Sequence, residues 1–231
     1  MSIEVTDVQD LRGRLSAAAD LKDISERHLE IAAILTEALQ TVGVHPIVVG
    51  GAAVEFFTGG EYATGDLDLI ALEGRELAVI MAALGFEKRG KSWTHEARSI
   101  FVEFPSPTLR QYEDWIVVRM KNVDVRMVSP EDLVVERLRS FKFWNATVDA
   151  VNALVIMGAA RGFDARRAAT KAAKEDVRDA FEGMQEILKR VQRGAMATQH
   201  CNGMVESLLE KIRPVAKETK DTPKEPKGGK S

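Results

Sequence analysis

The chain holds a single cysteine, Cys201, among 231 residues. With no partner for that thiol, a disulfide-stapled secreted module is excluded, and so is a zinc module built on several thiolates. This thiol usage fits a reducing cytoplasm. Long apolar runs are missing as well. No stretch approaches the roughly 18–20 residues that a bilayer-spanning helix needs, and the N-terminus lacks a basic start followed by an apolar stretch, so neither a membrane anchor nor export is expected. An excess of either charge is also absent: 32 Lys and Arg stand against 35 Asp and Glu, a formal net charge of −3. Proteins that coat nucleic acid by charge alone carry a basic surplus, so that class is disfavoured while a local basic groove stays open.

Several motifs are lacking too. There is no Gly-x-x-x-x-Gly-Lys-Ser/Thr phosphate loop and no Gly-x-Gly-x-x-Gly dinucleotide fingerprint. The four histidines, at 28, 45, 95 and 200, show no ligand spacing. Trp93, Trp115 and Trp144 are too dispersed to form a stacking platform for bases.

What is present divides the chain in three. The segment from Lys217 to Ser231 has no apolar residue besides proline and cannot repay the entropy of ordering; it reads as a disordered tail, about residues 216–231. It carries five lysines against three acids, so the rest of the chain has a net charge of −5. Residues 129–215 read as helices only, opening on Ser129-Pro130-Glu131-Asp132, with a Ser N-cap, Pro at the first helical position and an acid at the third; breaks are expected near Gly162 and Gly194. Residues 1–128 are mixed. Ile24, His28, Ile31, Leu35, Ala38 and Val42 recur at helical spacing before Gly43. Pro46-Ile47-Val48-Val49 then reads as a strand, Gly50-Gly51 opens a short helix, and 66–71 alternates as a half-buried strand. A helix over 74–84 and strands at 100–104, 116–120 and 123–128 complete an α+β fold: a mixed sheet with flanking helices, followed by a helical C-terminal domain.

One constellation can carry chemistry. Asp66 and Asp68 lie two apart on a strand, so their carboxylates project from one face, roughly 6.5–7 Å apart at the backbone. Such a pair repels itself unless a cation lies between. Hard oxygen ligands of this kind suit magnesium completed by substrate phosphate and water. A third acid nearby would allow two ions. Glu103, in the middle of the apolar strand Ile100-Phe101-Val102-Glu103-Phe104, is the leading candidate because an unpartnered acid there is costly to bury, and Asp124 competes with it. Gly50 and Gly51, between strand and helix, leave bare backbone and free N–H groups for a phosphate. Thr64 is either a turn residue or a substrate contact, and Asp149 is read as a local cap or pair.

Val48-Val49-Gly50-Gly51 followed by Thr64-Gly65-Asp66-Leu67-Asp68-Leu69 resembles the signature of the nucleotidyltransferase superfamily with the DNA polymerase β-like fold. Ser129-Pro130-Glu131-Asp132-Leu133, leading into a helix with Arg137, is similar to AbiEii-type and related minimal prokaryotic nucleotidyltransferases. The resemblance spans about residues 46–155. It departs from the family pattern at Gly51, where Ser is usual, and at Glu103, where Asp is commoner.

The resemblance implies Mg²⁺ (or Mn²⁺) on Asp66, Asp68 and Glu103, with Glu103 also the base toward an acceptor hydroxyl. It implies a phosphate turn at Gly50 and Gly51 and a triphosphate contact from Arg137 or Lys142; Thr64 is grouped with this nucleotide site, and Arg139 on the same helix stands alongside the other two basic residues. The implied activity moves a nucleoside monophosphate from an NTP to RNA (a tRNA end), a protein or a small molecule such as an aminoglycoside, releasing pyrophosphate. A toxin restrained by an antitoxin partner is the sharper form, and a catalytically inactive module that binds a nucleotide or a protein is the alternative.

Overall fold

The computed structural model describes residues 5–60, 62, 64–193 and 201–212. The expected tail at 216–231 and His200 lie outside them. Helix α1 (Val5–Ala19) precedes α2 (Ile24–Gln40), which Asp23 caps by accepting the Glu26 N–H at 2.8 Å. The 3.6-residue period of α2 places Ile31, Leu35, Ala38 and Leu39 in the core. Strand β1 (Ile47–Val49) runs directly into α3 (Gly50–Thr58), and β2 (Leu67–Ile70) follows. Asp66 therefore stands in the bend before β2 and Asp68 inside the strand.

Next come α4 (Arg75–Ala83), the hairpin β3 (Glu87–Arg89) and β4 (Ser92–His95), then β5 (Ile100–Glu103), β6 (Trp115–Met120) and β7 (Val123–Val128). Five further helices close the described chain: α5 (Pro130–Trp144), α6 (Thr147–Ala159), α7 (Ala165–Lys174), α8 (Arg178–Gln192) and α9 (Cys201–Ile212).

The strands form one seven-stranded mixed sheet in the order β3-β4-β5-β2-β1-β7-β6. β1 pairs antiparallel with β2 and parallel with β7, while β2 pairs parallel with β5. Side chains alternate across this sheet. Val48, Leu67, Leu69, Val102, Val125 and Met127 are buried on the face that α2 covers. Each such side chain contributes about 1.5–3 kcal/mol through burial. Register puts Val49, Asp68 and Glu103 side by side on the other face, which continues to Val128 and Trp115. This second face is the open one: Phe101, Trp115 and Val117 on it are all exposed. A single hydrophobic cluster extends from Leu11 through the sheet to Val205 on α9.

The β3–β4 hairpin carries no alternating pattern, because β3 is Glu87-Lys88-Arg89 and fully exposed. A short, charged outer strand of this kind discourages pairing with other chains. Gly90, with φ of +63°, supplies its turn. The helical region breaks at Asn145 (φ +59°) and at Asp176 (φ +58°), besides the expected break at Gly162. Asn and Asp tolerate this left-handed conformation through their short polar side chains.

Among the described residues, no helix is long and apolar enough to cross a membrane.

Candidate active site

A cleft of about 510 Å³ opens on the uncovered face of the sheet, lined by Gly50, Gly51, Thr64, Asp66, Asp68 and Arg137 among others. Six of the eight candidate residues from the sequence thus meet in one place. Glu103 and Lys142 are not in its lining.

The two glycines do more than expose backbone. Gly50 has φ of +61°, and a Cβ on it would run into the carboxylate of Asp68. A Cβ on Gly51 would stand 2.6 Å from Thr64 Cβ. The start of α3 is therefore seated directly against Asp68 and Thr64, and only glycine fits at either position without a shift. The N–H groups of this first helical turn have no side-chain cap, which leaves them available to an anion.

Thr64 donates its hydroxyl to Asp66 Oδ1 at 2.8 Å, while its backbone N–H donates to Glu55 Oε1 at 2.5 Å. Burial pushes the Asp68 carboxyl up to about 6, and the neighbouring Asp66 and Glu103 push it the same way. Two neighbouring hard carboxylates, one of them resisting ionisation because it is buried beside other acids, have the donor chemistry that a divalent cation satisfies. In donor type they fit a magnesium ion, which would need further oxygen ligands to complete its shell.

Glu103 stands in parallel register with Asp68, one strand away, but its Oε1 accepts the Ser92 hydroxyl at 2.6 Å. Among the described residues, no three His, Cys, Asp or Glu side chains are grouped to hold a metal. The three-acid cluster expected for two ions is thus not assembled in this arrangement. Asp124, the competing acid, pairs with Arg119 on β6 instead.

Arg137 reaches the cleft from α5. Its Nη1 donates to Asp149 Oδ1 at 3.0 Å, and its buried Nε has no hydrogen-bond partner. Asp149, read from sequence as a local cap or pair, is the residue that orients this guanidinium. Lys142 lies five residues, about 1.4 turns, further along α5 and so faces elsewhere: it is buried, with Nζ donating to Asp179 Oδ1 at 3.0 Å and to the Asp176 carbonyl at 2.7 Å. It ties α5 to the start of α8, which explains its absence from the cleft. Arg139 pairs with Glu175 at the end of α7.

Sequence reasoning missed Glu136, Arg110 and Glu113, which also line the cleft. The last two belong to the 104–114 connection, where no periodicity marks them. A second cavity of about 630 Å³ shares Ile70, Thr108 and Glu113 with the cleft and extends beyond the other end of β1 and β2 toward His45 and Leu72. The Ser129-Pro130-Glu131-Asp132 start of α5 braces this region: Asp132 Oδ2 accepts the Ser129 hydroxyl at 2.6 Å and the Asp114 N–H at 2.8 Å, and Glu131 Oε1 accepts the Asp164 N–H at 2.8 Å.

Fold and site together define an α+β protein with paired carboxylates beside a glycine-rich helix start. Comparison with protein-family models finds no match, and comparison with curated proteins finds none. Among solved structures, the chain is similar to an antigenic nucleotidyltransferase-like protein from Paracoccidioides brasiliensis, with a TM-score of 0.48 and 13% identity, over 74% of this chain and 93% of that one.

Proposed function

We propose that the protein is a metal-dependent nucleotidyltransferase that moves a nucleoside monophosphate from an NTP to an acceptor hydroxyl and releases pyrophosphate. The observation that carries this reading is the seating of Asp68 against the uncapped N-terminus of α3, with Asp66 in the lining of the same cleft. The α3 N–H groups hold phosphate oxygens, and Arg137 stands across the cleft as the cationic contact for the departing pyrophosphate. Asp66 and Asp68 would hold Mg²⁺ or Mn²⁺, which would supply neutralisation of charge developing on the transferred phosphoryl group. Glu103 lies outside the cleft lining but in register with Asp68 on the same face of the sheet; in this reading it takes the acceptor proton, which requires it to leave the Ser92 hydroxyl and turn toward the cleft.

The neighbouring cavity shares Ile70 and Thr108 with the cleft, which leaves room for a second molecule beside the first. RNA, protein and small-molecule acceptors are all compatible with the chemistry, as is a toxin restrained by an antitoxin. Incubation of the protein with α-labelled NTPs, Mg²⁺ and cell extract tests the reading. Label transferred by the wild type and lost in Asp66→Ala/Asp68→Ala supports it and names the acceptor. Absence of label with every NTP, or label undiminished in the double variant, sinks it.

A second reading is favoured by the Ser92–Glu103 bond: a module of the same fold that binds a nucleotide without turning it over. In that case NTP binding persists, measurable by calorimetry, while no label moves.

A further inference from the structure

We propose that Glu55 is a positioning residue for the Asp66–Asp68 site, acting through Thr64 on the segment that carries Asp66. The inference rests on the nucleotidyltransferase reading for the identity of the bound ion; the positioning of the segment does not.

Glu55 lies on α3 among Ala52, Ala53, Val54 and Phe57, with its side chain only 1% exposed. An acid in such surroundings is costly to bury unless its oxygens are paired. Both are paired here. Oε2 hydrogen-bonds His28 Nδ1 on α2 at 2.7 Å, and Oε1 accepts the Thr64 N–H at 2.5 Å. Thr64 passes the constraint on, because its hydroxyl donates to Asp66 Oδ1 at 2.8 Å. The missing side chain of Gly51 lets Thr64 seat directly on the same helix.

A chain of three hydrogen bonds thus connects the rigid α2–α3 pair to one oxygen of Asp66, leaving the second oxygen of Asp66 for a ligand. A leucine at position 55 would fill the volume without a buried charge, so packing alone does not account for an acid. What the carboxylate supplies is a fixed acceptor for Thr64. Hydrogen bonds behind a metal ligand set its orientation, and their loss typically weakens metal affinity about 10–100-fold.

The test compares the full-length protein with Glu55→Leu, Glu55→Gln and Thr64→Val. Mn²⁺ affinity is read by electron paramagnetic resonance, and amide hydrogen exchange is read over residues 64–68. Glu55→Gln keeps an oxygen for Thr64 and is expected to bind Mn²⁺ nearly as the wild type does. Glu55→Leu is expected to weaken Mn²⁺ roughly 10–100-fold and to speed exchange at 64–68. Thr64→Val keeps the backbone bond and removes only the hydroxyl, so it is expected to weaken Mn²⁺ without the change in exchange; it also serves if Glu55→Leu does not fold.

Wild-type Mn²⁺ affinity in both Glu55→Leu and Thr64→Val overturns the proposal, as does a lower melting temperature in Glu55→Leu with unchanged affinity. If the wild type binds no Mn²⁺, the metal reading fails, and exchange at 64–68 alone decides: faster in Glu55→Leu supports positioning, unchanged overturns it.

Discussion

The carboxylate of Asp68 occupies the space into which a side chain on Gly50 would project, and Gly50 itself has φ of +61°. Two separate constraints therefore fall on one residue. Gly50→Ala is expected to cost about 1–2 kcal/mol from the left-handed backbone alone, and to displace Asp68 as well. Gly51→Ala meets Thr64 at 2.6 Å, with no such backbone strain. Thermal unfolding should rank Gly50→Ala as the more destabilised, and Mn²⁺ binding should weaken in both.

A second prediction follows from the charge of the site. The folded-state pKa of Asp68 is raised from 3.8 to about 6, chiefly by burial. The folded protein then holds a proton that the unfolded chain has released, so this group favours folding fully below about pH 4, and that contribution is lost as pH rises through about 6. Asp68→Asn should raise the melting temperature at pH 7.5 and leave it nearly unchanged at pH 4. A divalent ion competes with the same proton, so Mg²⁺ should stabilise the wild type at pH 7.5 and much less at pH 5, read from melting curves with and without the ion. Equal stabilisation at both pH values would contradict the placement of the ion on Asp68.

Why some of this was legible in the sequence and some was not has a physical basis. The strand that carries Asp68 and the glycine turn at 50–51 were legible because strand alternation and turn chemistry are local. So was the α5 start, where Ser129 caps and Pro130 sits at the first helical position. The β3–β4 hairpin was not, because a wholly charged edge strand has no hydrophobic period to read. Lys142 and Arg137 look alike in sequence, five residues apart on a helix; only the packing of α5 against α6 and α8 separates them. Glu55 could have been found, since it is an acid in an otherwise apolar helix, the same signal that drew attention to Glu103.

That separation on α5 gives a third prediction. Lys142→Met removes a buried cation and its bonds to Asp179 and the Asp176 carbonyl, at a cost of about 1–3 kcal/mol in stability. It should leave the KM for NTP unchanged. Arg137→Gln alters a cleft residue, so under the nucleotidyltransferase reading it should lower kcat/KM for NTP by about tenfold or more, each tenfold corresponding to about 1.4 kcal/mol. Melting temperatures and steady-state kinetics on the two variants distinguish a structural cation from a substrate-facing one.

The bond between Ser92 and Glu103 gives the last prediction and divides the two functional readings. A carboxylate that accepts a hydroxyl at 2.6 Å has one oxygen engaged, and a general base must be free to reach the acceptor proton. In an active enzyme, Ser92 orients Glu103 before substrate arrives and gives it up when the acceptor hydroxyl enters. Glu103→Gln should then lower kcat by about 10²–10⁴-fold. Its effect on Mn²⁺ affinity should be small, because Glu103 stands one strand away and is not grouped with Asp66 and Asp68 as a third ligand. Ser92→Ala should change kcat far less, since the base itself remains. In a non-catalytic module the bond simply satisfies an acid on the open face of the sheet, and both substitutions leave nucleotide binding unaltered with no turnover to lose. Single-turnover kinetics with labelled NTP, together with Mn²⁺ titration of the Glu103→Gln protein, separate the two: a large loss of rate at nearly constant metal affinity assigns Glu103 to proton transfer, whereas a parallel loss of both would make it a metal ligand instead.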